Sequence, residues 1–429
     1  MSHEKNISAA AGFHGLGIAP SLLEILSRLN FTKPTAIQAQ AIPVAISGKD
    51  IIGIAQTGTG KTLAFGVPMI QRLAQLKKKG LVVLPTRELA LQVDEVLTQL
   101  GRNLGLRTAV LIGGASMQRQ KQALQRQPHI LVATPGRLID HLQGKTVKFN
   151  DVGVVVFDEA DRMLDMGFLP QIKRILAALP AKRQMMLFSA TMPPEIMKIA
   201  SGYMQLPTPV EIAPTGTTVA RVTMELFIVQ REQKIHLLKK VLEQYRGSAL
   251  VFTRTKHGAK KLAQQIRNFG VSAAEIHSNR SLGQRREALD GFKSGKYRAL
   301  VATDIASRGI DVVGIELVVN YDMPSVSDDY VHRIGRTARA SASGHAITFA
   351  LPNERREVRE IERLIRKPLP VSKLPALPNV QKIPAVFADS RNFRSHSPIN
   401  RNQRFQHNPS GHHGQRPHHH SSGRRKGYR

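Results

Sequence analysis

The sequence predicts an α/β protein of two tandem, doubly wound parallel-sheet lobes, joined by a flexible linker and followed by a disordered basic tail. Three observations carry this expectation. Short β-branched runs alternate with amphipathic stretches, the pattern of repeated βα units. The alternation breaks once, at a Pro-, Thr- and Gly-rich stretch, and then begins again. After about Leu369 it gives way to Arg, His, Asn, Ser and Gly. With 429 residues, 41% of them hydrophobic, the chain has apolar material for two compact domains.

In the first series, strands are expected near Ile51–Ile54, Leu81–Leu84, Thr108–Ile112, Ile130–Ala133, Val154–Phe157 and Met185–Phe188. Helical patterns such as Thr62–Gln75 and Glu88–Leu100 fill the gaps. The stretch LPTPVEIAPTGTT at 206–218 reads as a linker. The second series places strands near Glu225–Val229, Ala249–Phe252, Ala274–Ile276, Ala299–Ala302, Glu316–Val319 and Ala346–Ala350. The expected boundaries are an N-terminal segment at 1–38, a first lobe at 39–208, a linker at 209–220, a second lobe at 221–370 and a tail at 371–429. Residues 391–429 hold nine Arg or Lys and seven His but no Asp or Glu, and so lack the apolar area to offset their ordering entropy.

Lys and Arg total 62 against 31 Asp and Glu, a formal charge of +31. Nucleic acid is the usual partner of such a field, a solvated basic surface or an anionic membrane being the alternatives. The absence of Cys excludes disulfides, thiolate nucleophiles and Cys-ligated zinc. The N-terminus has no apolar core behind a basic start, and runs such as Val152–Phe157 are too short to span a bilayer. No membrane partner is expected, and the cytoplasm is the expected compartment.

The run Ala55-Gln56-Thr57-Gly58-Thr59-Gly60-Lys61-Thr62 follows a strand and opens a helix, the context of a phosphate-binding loop. Gly58 and Gly60 let the backbone turn N–H groups toward phosphate oxygens, and the helix adds the positive end of its dipole. Lys61 is placed to reach the β and γ phosphates of ATP, and the Thr62 hydroxyl to ligate Mg²⁺. The strict pattern has Gly where this chain has Ala55. Further on, Val154–Phe157 runs into Asp158-Glu159-Ala160-Asp161, 97 positions after Lys61. An acidic residue ending a buried strand suits Mg²⁺ held largely through water, here Asp158. Glu159 is then the candidate base for the attacking water. The two signals together point to an NTPase.

These residues also resemble the motifs of the DEAD-box helicases, whose name is spelled by 158–161, and the resemblance spans about 13–367. It implies two RecA-like lobes, ATP with Mg²⁺, and RNA as partner. Phe31-Thr32-Lys33-Pro34-Thr35 with Gln38 resembles the Q motif, with Phe13 as its upstream aromatic. The family implies that Gln38 hydrogen-bonds adenine and that Phe31 packs on it. Pro85-Thr86-Arg87-Glu88-Leu89-Ala90, Gly113-Gly114 and Thr134-Pro135-Gly136-Arg137 resemble the first-lobe RNA motifs. Ser189-Ala190-Thr191, with Asp161, resembles the element coupling hydrolysis to strand separation. In the second lobe, Leu250 to Arg254, Ala302-Thr303-Asp304 to Asp311, and His332-Arg333-Ile334-Gly335-Arg336 to Arg339 match motifs four, five and six. By resemblance Asp311 touches the ribose, Arg336 and Arg339 reach the γ phosphate, His332 and Arg333 couple the lobes, and Arg254 and Thr303 contact RNA.

The sequence departs from the family pattern at Asn30 and Ala338, each in place of Gly. His277-Ser278 replaces His-Gly. Leu282 takes the Gln position of a Q-x-x-R element that keeps Arg285. The core and tail are most similar to the bacterial RhlE-like branch. The implied activity is RNA-stimulated ATP hydrolysis coupled to lobe closure and local unwinding of short duplexes, with little sequence preference. Ribosome assembly, RNA turnover or cold adaptation is the expected setting, and ribosomal precursors or RNA-decay machinery the expected company. A DNA-directed helicase with the same lobes and an ATP-independent RNA-binding or annealing protein are the competing readings. In the tail, Arg391, Arg394, Arg401 and Arg404 are expected to tether RNA. His412–His413 and His418–His420 would take a metal only adventitiously.

Overall fold

The computed structural model describes residues 12–56, 58–212, 222–304, 312, 314–337 and 344–378. All of them belong to one compact unit, 1–380. The expected Thr57, Asp311 and Arg339, the departure at Ala338, the heart of the linker and the basic tail lie outside the described residues.

The first lobe is a parallel sheet of seven strands, β1 (Ile51–Ile54), β2 (Lys79–Val83), β3 (Thr108–Leu111), β4 (Ile130–Ala133), β5 (Val152–Phe157), β6 (Gln184–Ser189) and β7 (Thr208–Glu211), in the order β3-β4-β2-β5-β6-β1-β7. Its strands are buried on both faces, which is why they read as continuous apolar runs rather than alternating ones. Val154 and Val156 enter one core with Phe65 and Phe188, while Val155 and Phe157 enter the other with Leu81 and Leu187. Helices cover both faces: α1 (Pro20–Arg28), α2 (Ala36–Ile46), α3 (Lys61–Leu76), α4 (Arg87–Gly101), α5 (Met117–Gln125), α6 (Pro135–Gln143), α7 (Ala160–Asp165), α8 (Leu169–Ala178) and α9 (Pro194–Tyr203). Gly53 of β1 is required by packing, because a Cβ there would lie 2.4 Å from the Phe188 ring.

The second lobe repeats the plan with β8 (Val222–Ile228), β9 (Ala249–Phe252), β10 (Ala273–Ile276), β11 (Ala299–Ala302), β12 (Leu317–Asn320) and β13 (Gly344–Ala350), ordered β10-β11-β9-β12-β13-β8 and all parallel. Helices α10 (Lys234–Gln244), α11 (Lys256–Asn268), α12 (Leu282–Lys293), α13 (Ser327–Ile334) and α14 (Arg355–Ile365) flank it. Among the described residues no helix is long and apolar enough to cross a membrane.

The two-lobe architecture matches the sequence expectation, with strand ends displaced by a few residues. Two boundaries differ. The expected linker at 209–220 begins inside a strand: β7 pairs with β1 from Thr208 to Glu211. Pro209 hides it from sequence reading, yet an edge strand tolerates Pro because one side needs no ladder donor. The expected tail at 371–429 likewise starts too early. Val371 bridges Leu226, and the Leu226 N–H and the Ser372 N–H close that contact through Pro370 O and Leu226 O at 2.8 and 2.9 Å.

Candidate nucleotide and nucleic-acid site

In each lobe the motif residues gather at the carboxyl ends of the strands, where open α/β sheets bind ligands. The first-lobe loop between β1 and α3 turns through two left-handed glycines, Gly58 (φ 84°) and Gly60 (φ 92°). A side chain at Gly60 would be strained at this φ and would displace the Gln38 amide, since a Cβ would lie 2.3 Å from Gln38 Nε2. Gln38 is buried and stitches the N-terminal element to this loop. Its Nε2 donates to Gly60 O (3.1 Å), and its Oε1 accepts the Thr35 N–H (2.9 Å). Thr59 Oγ1 donates to Gln56 O (2.8 Å), closing the loop on itself. Phe13 is buried in the core, whereas Phe31 is among the exposed large hydrophobics. Asn30 has φ 61°, so the residue replacing Gly is the one non-Gly type that tolerates the left-handed region best.

Lys61 is 6% exposed and reaches across β6. Its Nζ donates to Ala55 O at 3.0 Å and lies 3.8 Å from Asp158 Oδ1. Burial pushes the Asp158 carboxyl up to about 6, against the pull of Lys61. Glu159 adopts a left-handed conformation (φ 55°), which costs on the order of 1 kcal/mol for a residue with a Cβ. Burial opposes its charge, but Arg162, Lys61 and Arg336 outweigh it and hold its pKa below the usual range. Arg336 is contributed by the second lobe, so the lobes share one electrostatic site. Two oxygen donors flank the loop, the Asp158 carboxylate and the Thr62 hydroxyl. A buried carboxylate whose charge is under-compensated suits Mg²⁺, which takes few protein ligands beside phosphate and water.

Asp161 ties this centre to the end of β6. Its Oδ2 accepts the N–H groups of Ala190 (3.0 Å) and Thr191 (2.8 Å) and the Thr191 hydroxyl (3.0 Å). The Asp161 N–H donates to Ser189 Oγ at 3.2 Å. On the second lobe, Arg336 Nε donates to His332 O (3.2 Å). Arg333 is spent inside its own lobe. It grips Asp304 through Nε (2.5 Å) and Nη2 (2.8 Å), and donates through Nη1 to Asp322 O (2.7 Å) and Asn320 Oδ1 (3.2 Å).

The first-lobe nucleic-acid motifs lie on the loops after β2, β3 and β4. Thr86, after Pro85, caps α4, its Oγ1 accepting the Leu89 N–H at 3.3 Å. Arg87 packs against Gly114, where a Cβ would lie 2.2 Å from Arg87 Nη1. Thr134 is the residue before α6, which opens at Pro135-Gly136, and a Cβ on Gly136 would meet nothing. Arg137 Nη1 donates to Ala115 O (3.0 Å). These are helix N-termini, hydroxyls and guanidinia, the groups that suit phosphate oxygens. In the second lobe Arg254 and Thr303 line one cavity of about 380 Å³ with Asp304, Ser325 and Asp329, and Asp165 and Met166 of the first lobe complete it.

Three contacts were not foreseen from the motifs. Arg162 Nη2 meets His332 Nδ1 across the lobes at 3.1 Å. Arg285 Nη2 donates to Glu88 Oε2 at 2.8 Å, both side chains being under a tenth exposed. Leu282 packs against the first-lobe core, so this departure exchanges a polar side chain for an apolar interlobe contact.

The chain is similar to known proteins. The DEAD/DEAH box helicase family profile matches residues 35–199, and the helicase conserved C-terminal domain matches 233–341. The chain is 41% identical over 368 residues to the DEAD-box ATP-dependent RNA helicase CshA of Bacillus subtilis (strain 168), covering 85% of this chain and 74% of that relative. It is 42% identical to the ATP-dependent rRNA helicase RRP3 of Debaryomyces hansenii, covering 85% and 77%. Among solved structures, S. cerevisiae Dbp5 bound to RNA and ADP BeF3 superposes with a TM-score of 0.77 at 28% identity, covering 85% of this chain and 96% of that one. Mss116p bound to ssRNA and AMP-PNP gives 0.76 at 27% identity, covering 84% and 78%.

Proposed function

The chain belongs to the DEAD-box family of ATP-dependent RNA helicases, and from that premise we propose how its residues divide the work. One observation carries the reading: Arg336 of the second lobe bears electrostatically on Glu159, beside Lys61 and Asp158 of the first. Each lobe alone is an incomplete ATPase, and closing them completes it.

Gln38 reads adenine. Its amide has two N–H groups and two carbonyl lone pairs, and the two internal bonds use one of each, leaving the donor–acceptor pair that adenine's edge requires. Phe31 packs on the base, and Asp311 holds the ribose. The Ala55–Thr62 loop, Lys61 and the α3 N-terminus hold the phosphates. Asp158 and Thr62 would hold Mg²⁺, which would supply neutralisation of the phosphate charge. Glu159, kept ionised by its cationic neighbours, orients the attacking water and takes its proton. Arg336 and Arg339 stabilise the charge that develops on the γ phosphate.

RNA lies along Pro85–Arg87, Gly114, Thr134–Arg137, Arg254 and Thr303, held by its backbone and 2′-hydroxyls and therefore with little sequence preference. Asp161 with Ser189 and Thr191, and His332, carry the state of the nucleotide to that surface, while Arg333 steadies the second-lobe end of it through Asp304. The result is local melting of short duplexes, reset by hydrolysis. We assign an N-terminal segment at 1–38, a first lobe from 39 that closes with β7, a second lobe from 221, and a basic tail that holds structured RNA. We further infer an RhlE-like branch, a cytoplasmic setting, and work on ribosomal precursors or with RNA-decay machinery.

ATP turnover with RNA and with DNA of matched sequence tests this reading. It expects strong stimulation by RNA alone. Equal stimulation by DNA refutes the RNA assignment, and turnover indifferent to both refutes the coupling.

A further inference from the structure

Glu159 is held at the cleft by a residue outside the named motifs. Arg162 stands one turn along α7 and is 1% exposed. Its Nη1 donates to Glu159 Oε2 at 2.8 Å, while its Nη2 lies 3.1 Å from His332 Nδ1 in the second lobe. Its own N–H donates to Asp161 Oδ1 at 2.9 Å, which ties the start of α7 to the carboxylate that holds the Ser189–Thr191 loop. One planar guanidinium therefore spans the base in one lobe and an imidazole in the other.

We propose that Arg162 is a positioning residue that carries lobe closure to Glu159, its guanidinium being fixed on one side by His332 and orienting the carboxylate on the other. The inference rests on Glu159 acting as the base. Two features make the arrangement specific. A guanidinium presents separate N–H groups in a rigid fork, which the single ammonium of Lys cannot reproduce at two partners on opposite sides. Arg162 can only donate, so His332 Nδ1 accepts in this contact as a neutral imidazole, the form that burial and the charge of Arg162 favour. When the lobes part, Arg162 loses its second-lobe anchor and Glu159 loses its fixed orientation. Hydrolysis without RNA is then slow because the base is misaimed as well as because Arg336 has withdrawn.

The test is a double-mutant cycle of Arg162→Lys and His332→Ala, read as RNA-saturated ATP turnover per molecule able to bind a fluorescent ATP analogue, so that misfolded protein is not counted. Each single variant is expected to lower kcat by at least about tenfold, the scale of a misplaced general base, with the KM for ATP within about threefold of wild type. Because both changes break one link, the double variant should turn over no more slowly than the worse single. Losses that multiply, or a loss carried by KM, overturn the proposal and leave Arg162 as a packing residue. Glu159→Gln in the same assay separates the two levels: full turnover by that variant refutes the base itself, whereas its silence beside multiplying losses refutes only the role of Arg162.

Discussion

Replacing Arg285 by Met removes one half of a buried ion pair that joins the lobes. With the lobes in contact, as in this structure, Arg285 and Glu88 meet at 2.8 Å with 9% and 6% of their side chains exposed. Burial lowers the Arg285 pKa, partly offset by Glu88, so the pair is desolvated. The contact is single-pronged, since Arg285 Nε and Glu88 Oε1 are buried without a hydrogen-bond partner. A charged hydrogen bond of this kind contributes about 1.5–3 kcal/mol. Stranding Glu88 as a lone buried charge would cost up to about 3–5 kcal/mol if it stayed dry, but parting of the lobes rehydrates it, so the lower range applies. The penalty thus falls on closure alone. Arg285→Met should shift the closing equilibrium roughly 10- to 100-fold toward the open form.

The assay is RNA affinity by fluorescence anisotropy, with and without a non-hydrolysable ATP analogue. Without nucleotide, Arg285→Met should bind RNA as wild type does. With the analogue it should bind roughly 10- to 100-fold more weakly, because only the closed form is favoured by both ligands. Adding Glu88→Gln removes the stranded charge and should restore part of the loss. Equal weakening with and without nucleotide, or no rescue, would refute the view that this pair acts on closure.

Arg336→Ala should leave ATP bound to the first lobe but lower RNA-stimulated turnover by about 10³–10⁵, the scale of an arginine finger; persistent stimulation contradicts its role. Gly114→Ala places a Cβ 2.2 Å from Arg87 Nη1 at a φ of 75°, so filter binding should show weakened RNA association while RNA-free ATP turnover is retained. Burial raises Asp158 from 3.8 to about 6, so at limiting Mg²⁺ turnover should fall as pH drops through about 6, where the carboxyl gains its proton. Saturating Mg²⁺ should move that midpoint to lower pH by competing with the proton; a rate flat from pH 7 to 5 at limiting Mg²⁺ would contradict the assignment.

The fold was legible because strands buried on both faces are continuous β-branched runs, as Val152–Phe157 illustrates. β7 was missed because a four-residue edge strand containing Pro209 has the composition of a linker. The nucleotide loop and the 158–161 tetrad were legible because their chemistry sits in contiguous residues. The pairings that fasten one lobe to the other were not. Glu88 and Arg285 lie 197 positions apart, Arg162 and His332 lie 170 apart, and nothing local marks either pair. Arg333 shows the converse. Its motif suggests interlobe coupling, yet Asp304, Asp322 and Asn320 occupy it within its own lobe. The departure at Leu282 gains its physical sense only from the apolar surface it meets.

The most direct test of closure by two ligands uses Glu159→Gln, which should bind ATP without consuming it. RNA affinity is measured with and without ATP, and ATP affinity with and without RNA, at one salt concentration. Shared closure predicts that each ligand tightens the other by the same factor, in the range of about 5- to 150-fold typical of linked sites. Affinities that are independent of each other would contradict it, leaving an ATPase and an RNA-binding surface that share a chain but no mechanism.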